Sequence, residues 1–289
     1  MNPAPSASAL QRLIVSTLSL DLPVAVSRAV AFTDDGSVLL AGGLTPAGTT
    51  ASVVRIDVTH GSVTSAGDLA RAVHDAGGAL LGGVPVVFGG GNVAPEDVVQ
   101  RFDGGQGMVI GQLPRARADL VAVALGGTVF VIGGGTPSRL DRAVLSTTDG
   151  SNLEAIATLV DGVRYPAVAA VDGMIIVVGG TDGTRDRSAI QAIDPVTATV
   201  RIIGQLPQGL SHASAFVLAG RLLVAGGRSA GVAQDTIWEV DPVSGRVTEA
   251  GRLPRAVSDA AVAVVGGVGY LIGGERSAIV TSIISITIA

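Results

Sequence analysis

The chain has 289 residues, 47% hydrophobic but only 3% aromatic, with a formal net charge of −5. It contains no cysteine, which excludes disulfides, thiolate metal sites and cysteine nucleophiles, and its acidic balance offers no basic stripe for nucleic acid. All 19 cationic residues are Arg, and the 41 glycines predict a strand end or turn every few residues.

Residues 1–10 are expected to form a flexible tail, and they lack the basic region and apolar core of a signal peptide. The run 13–20 reads as a strand with no partner before it. A double glycine then recurs after an apolar run, at Gly42-Gly43, Gly89-Gly90, Gly133-Gly134, Gly179-Gly180, Gly226-Gly227 and Gly273-Gly274. The intervals are 47, 44, 46, 47 and 47 residues. A second marker, a Leu usually followed by Pro, falls at Leu22, Leu69, Leu113, Leu159, Leu206 and Leu253 with the same intervals in the same order. Two markers in phase define a repeat, and repeat architecture is the first question a sequence should be asked.

Each repeat reads as four short strands. In the fifth they are 213–218, 221–225, 236–240 and 246–250, with turns at Ala219-Gly220 and at Asp241-Pro242-Val243-Ser244-Gly245. The uncharged run 120–138 is long enough to span a membrane, but Gly126-Gly127 divides it into two strands and a tight turn. The chain ends with 278–287, a third strand lacking its fourth. Pairing it with 13–20 would close a ring and remove the open edges. A period near 46 with four strands per unit fits a β-propeller, here all-β and six-bladed, over residues 11–289 as one domain.

The segments Val129-Phe130-Val131-Ile132-Gly133-Gly134, Ile175-Ile176-Val177-Val178-Gly179-Gly180 and Tyr270-Leu271-Ile272-Gly273-Gly274 resemble the Kelch repeat family. The family's aromatic-Asp pair survives as Phe102-Asp103 and becomes Ile56-Asp57, Ile193-Asp194 and Val240-Asp241 elsewhere. Its outer-strand Trp is replaced by Val63, Val109, Val200 and Val247. The resemblance implies binding at the face built from the loops that enter the innermost strands and those that follow the double glycines.

Applied to this chain, that face holds two sets of positions counted from each marker Leu. The second position carries Val24, Arg71, Arg115, Asp161, Gln208 and Arg255; the sixth carries Arg28, Asp75, Asp119, Tyr165, His212 and Asp259. With His74, Arg117 and Arg164 these give a candidate ligand site of Arg28, Arg71, His74, Asp75, Arg115, Arg117, Asp119, Arg164, Tyr165, His212, Arg255 and Asp259. Arg and Asp around a channel mouth can hold an acidic or polyhydroxylated ligand through charge-assisted hydrogen bonds. The plainer alternative is that these groups tie loops to neighbouring repeats and cap backbone amides. The loops 181–187, 228–231 and 275–276 lie on the same expected face and read equally well as solvated turns.

Metal and cofactor chemistry find little support. The three histidines, His60, His74 and His212, have no ligand spacing, so no metal site is expected, although Asp75 and Asp119 could share a hard cation. The double glycines precede no helix and are not phosphate loops. The first functional reading is a non-enzymatic sensor or interaction domain that needs no cofactor. Its expected partners are a small polar or acidic ligand, a peptide or a partner domain, with no membrane insertion and a monomeric state. The second is a sugar-processing enzyme of the mutarotase or epimerase kind found among Kelch-like propellers, with Asp119 and His212 as acid and base and Arg115 positioning the substrate. Compartment stays open, an extracytoplasmic domain of a longer membrane protein being one reading.

Overall fold

The Val- and Ile-rich runs between glycine turns form strands throughout, and no helix occurs among residues 12–289, which the computed structural model describes. The expected tail 1–10 lies outside the described residues. The basic unit is a four-stranded antiparallel meander. One sheet runs Ala167–Val171, Met174–Val178, Ala189–Asp194 and Thr199–Gln205, and the next Ser214–Leu218, Arg221–Ala225, Thr236–Val240 and Val247–Arg252. Each expected strand of the fifth repeat is present to within two residues. A third sheet contains Ala118–Leu125, Thr128–Thr136, Ala143–Thr147 and Glu154–Thr158, so the long uncharged run is a hairpin.

The first two repeats depart from the expected separation into four-stranded sheets. Val30–Asp34, Ser37–Ala41, Ser52–Asp57 and Ser62–Asp68 are continuous with Gln106–Gln112, Val98–Asp103, Val84–Phe88 and Gly77–Leu81 in one eight-stranded sheet. The junction is a single parallel pairing of Asp68 with Gln106. Glycine permits that approach: a Cβ on Gly67 would lie 1.9 Å from the Gly105 carbonyl oxygen.

The last sheet joins the ends of the chain. Its order is Leu13–Asp21, Ser282–Ile288, Val268–Ile272 and Ala261–Val265, the first two antiparallel from Leu13↔Ile288 to Asp21↔Ser282. The innermost strands pack in sequence order, and Ala261–Val265 packs back on Val30–Asp34, giving a propeller-like all-β arrangement. Small side chains, among them Ala31, Gly78, Ala122 and Ala215, line a central channel of about 270 Å³.

The near absence of aromatics has a packing consequence. Second strands such as Arg221–Ala225 are buried almost end to end, because they are covered on both faces. Hydrophobic clusters bridge neighbouring sheets, one joining Val38, Leu40 and Ile56 to Ala263, Ile272 and Ile283. Another joins Phe32 and Leu39 to Val87 and Phe102 across the two halves of the eight-stranded sheet. Ile56, Ile193 and Val240, which replace the family's aromatic, are at most 1% exposed. Aliphatic side chains thus fill the space between sheets.

The two sequence markers meet in space. The second glycine of each pair donates its N–H to a carbonyl four residues after the following marker Leu: Gly43 to Val73, Gly90 to Arg117, Gly134 to Val163, Gly180 to Leu210 and Gly227 to Val257. Gly274 closes the series by donating to Val26. Glycine is required at the first position too. At Gly273, with φ +64°, a Cβ would lie 2.1 Å from the Val26 oxygen.

Candidate functional site

Two residues beyond that carbonyl the chain turns into the innermost strand, and there Arg28, Asp75, Asp119, Tyr165, His212 and Asp259 all have φ between 50° and 63°. Left-handed backbone at six non-glycine residues is a strained choice that needs a compensating contact. The contact is a cyclic one. Each N–H donates to the carbonyl of the preceding member (Asp75 to Arg28, Asp119 to Asp75, Tyr165 to Asp119, His212 to Tyr165 and Asp259 to His212), and Arg28 donates to Asp259. The six side chains surround a shallow cavity of about 120 Å³ at one end of the channel.

Their polar groups form one network. His212 Nδ1 lies 2.6 Å from Asp259 Oδ1, and Ser258 Oγ donates to Asp259 Oδ2 at 2.7 Å. The His212 ring stacks on Tyr165 with centroids 3.7 Å apart, and the Tyr165 hydroxyl donates to Asp75 Oδ2 at 3.2 Å. Arg28 reaches Asp75 through Nη1 at 3.2 Å and Glu275 through Nε at 2.8 Å. Arg164 pairs with Asp119 and lies over Tyr165 with Cζ 5.6 Å from the ring centre. Arg228 bonds Ser258 Oγ at 2.8 Å and pairs with Glu275 and Asp259. His74 accompanies Asp75, with Nε2 3.6 Å from Oδ2, while its Nδ1 meets Thr49 Oγ1 at 2.9 Å.

Eight of the twelve expected residues therefore gather at the mouth, and four stand elsewhere. Arg71, Arg115 and Arg255 are exposed on loops just after the marker Leu, before the chain reaches the ring. The second-position loops are anchored through backbone instead: the buried Gln100 amide bonds Arg71 N and O, and Gln191 does the same at Asp161. Arg117 points into the space between sheets and is 2% exposed. Conversely, Glu275, Arg228, Ser27 and Ser258 belong to the network, with Ser27 Oγ donating to Glu275 at 2.9 Å. The signal that finds Arg228 and Glu275 is their place directly after a double glycine. There they bridge to Ser211 and Ser258, the residues before the ring positions His212 and Asp259.

Asp75 and Asp259 are shifted in opposite directions. Burial pushes Asp75 up to about 7, since the pull of Arg28 is offset by repulsion from Asp119 and Asp259. Burial acts on Asp259 in the same direction, but hydrogen bonding and charge from His212, then the charge of Arg28, hold it below the usual carboxylate range. Burial together with the charge of Arg28 lowers His74, against a smaller opposing pull from Asp119. The phenol of Tyr165 is raised by burial and by Asp75 and Asp119, so it stays a donor.

A stability profile follows from Asp75. Its folded value lies above the unfolded carboxylate value of about 4, so the native state binds the extra proton between the two. The stability it contributes is complete below about pH 4 and is lost as pH rises through about 7. Asp75→Asn should therefore gain on the wild type steadily from pH 4 to 7 and hold a constant lead above that. Urea denaturation at intervals of one pH unit checks this; a difference that does not change with pH would refute it.

Among the described residues no group of three His, Asp or Glu side chains is arranged to hold a metal ion. A larger concavity of about 660 Å³ opens among turn and strand residues such as Arg12, Asp241, Arg246 and Glu249. Its lining includes the ion pair of Arg221 with Glu239 at 2.6 Å.

Sequence comparison matches a family model to the segment from the buried Val163 through the sheet Ala167–Gln205 to the marker Leu206. Residues 163–207 carry a Kelch motif. Among 827 matching solved chains is one described as the structure of YjhT, which superposes with a TM-score of 0.80 at 16% identity over 92% of this chain and 96% of that one. At that identity the likeness concerns the fold, which by itself does not name a ligand. Comparison with curated proteins found no match.

Proposed function

We propose that this is one six-bladed Kelch propeller over residues 11–289, acting as a monomeric binding module that needs no cofactor and recognises polar ligands at its channel mouth. In this reading the eight-stranded sheet counts as two blades. Support comes from the single pairing between its halves and from the six-membered backbone ring.

One observation carries the functional reading: the ring groups are joined to each other in a shallow mouth, not aimed into a deep pocket. A cavity of about 120 Å³ is well below the roughly 300–1,000 Å³ of enclosed small-molecule sites. It suits the polar end of a peptide, a partner domain or a small acidic ligand. The preorganised Arg28, Arg164, Arg228 and Tyr165 supply donors, and Asp119, Asp259 and Glu275 supply acceptors.

Arg164 is the most direct test, because its side chain is about a quarter exposed and Asp119 is its one ion-pair partner among the described residues. Arrays of acidic sugars and of peptides ending in Asp or Glu should reveal ligands of the wild type that bind Arg164→Ala at least about tenfold more weakly, a loss of about 1.4 kcal/mol. Melting should fall by only a few degrees. Equal binding by both proteins would remove the mouth from consideration.

A second reading has one specific observation in its favour. Asp259 orients His212 through Nδ1, which leaves Nε2 to act as a general base at the mouth. If the protein interconverts anomers of an acidic sugar, NMR exchange rates should exceed those in buffer and fall at least about a hundredfold with His212→Gln. No acceleration by the wild type leaves the binding module alone.

A further inference from the structure

Six residues stand four positions after a marker Leu: Val26, Val73, Arg117, Val163, Leu210 and Val257. All six carbonyls accept the glycine N–H that ties one repeat to the next, and all six residues are buried, none more than 7% exposed. Five are aliphatic plugs between sheets. The sixth is a guanidinium.

Arg117 has unusual surroundings for a buried cation. Nη1 donates to the carbonyls of Gly133 at 3.0 Å and Ala143 at 3.2 Å. Among the described residues no other acceptor meets the side chain, and no carboxylate comes within ion-pair distance. Asp141, the acid that acts on it through space, is held by Arg139 at 2.8 Å. A buried charge is ordinarily paired, because leaving it alone sacrifices its hydration. Burial lowers Arg117 to about 10, still a cation at neutral pH. The side chain borders a cleft of about 250 Å³ that Pro114, Arg115, Asp141, Ala143 and Leu145 help to line. With Arg115, Arg117, Arg139 and Asp141 the local balance is positive.

We propose that this cleft is a second binding site, separate from the channel mouth, which takes one oxyanion group, a carboxylate or a phosphate. Arg117 offers the guanidinium atoms not engaged by the carbonyls, and Arg115 covers the anion from the solvent side. Guanidinium geometry matches either oxyanion through paired hydrogen bonds. The proposal is independent of what the mouth binds.

The probes are acetate and inorganic phosphate, compared with chloride at equal ionic strength. At ten times its dissociation constant the preferred oxyanion should raise wild-type melting by about 3 °C, and the arm that responds identifies the group. In crystals, a selenate soak should place an anomalous peak within about 3 Å of the Arg117 guanidinium. Arg117→Leu installs the side chain used at a sister position and should fold with equal or higher melting while losing both responses. Should that variant fail to fold, exposed Arg115→Ala serves instead, expected to melt like the wild type and bind several-fold more weakly. A wild type that shows no preference for either oxyanion over chloride, or a cleft holding only ordered water, overturns the proposal. So does an Arg115→Ala protein that binds as the wild type does.

Discussion

Removal of residues 1–22 is expected to yield a protein that is insoluble or melts more than about 10 °C below the full chain. The strand Leu13–Asp21 is the outer member of the last sheet and pairs with Ser282–Ile288. Its loss uncovers an edge and a hydrophobic gap, since Leu13 is 7% and Leu22 4% exposed. Burial of two leucines is worth roughly 3–6 kcal/mol, and Val15, Leu18 and Leu20 add partly buried area. For a chain of this size each kcal/mol moves melting by roughly 2–4 °C. Adding a synthetic peptide of residues 13–21 should restore part of the loss. A soluble truncated monomer with the melting temperature of the full chain would show that this strand does not hold the ends together.

Asp259→Ala should be the most damaging single change at the mouth. Its carboxylate, 2% exposed, lies within 3.9 Å of Arg28 and 3.2 Å of Arg228, and meets His212 and Ser258 as well. Breaking a buried pair from one side leaves the partner uncompensated and costs about 3–5 kcal/mol. The pH dependence has the opposite sign to that of Asp75. Because its folded value is depressed, the stability Asp259 contributes is present above about pH 4 and is lost as pH falls through the folded value. Wild type and variant should therefore differ most at neutral pH and converge in acid. A cycle with His212→Gln measures the shared part, expected at about 1–3 kcal/mol. Melting within a degree or two of the wild type at pH 7 would mean that the network contributes no net stability.

Much of the architecture was legible because its signals are local. The double glycines mark the close approach of one repeat to the next, where a Cβ at Gly226 would lie 2.3 Å from the Val257 oxygen. The marker leucines fill the space beneath, each at most 4% exposed. The join between Asp68 and Gln106 was not legible, because it depends on how closely two outer edges approach. At the site, ring residues could be read from phase alone. Arg71, Arg115 and Arg255 share that phase yet stay on exposed loops, because the chain has not turned inward at the second position.

By itself the sequence determined the repeat, the strand order within it and the pairing of the two chain ends, since turn chemistry and hydrophobic period act over a few residues. Only the tertiary structure decided which charges meet. Glu275 holds Arg28, 247 residues away, and Arg117 occupies an aliphatic slot near Asp141, whose ion pair is with Arg139 instead. The direction of a long side chain at a sheet boundary depends on the neighbouring sheet, which no local pattern encodes.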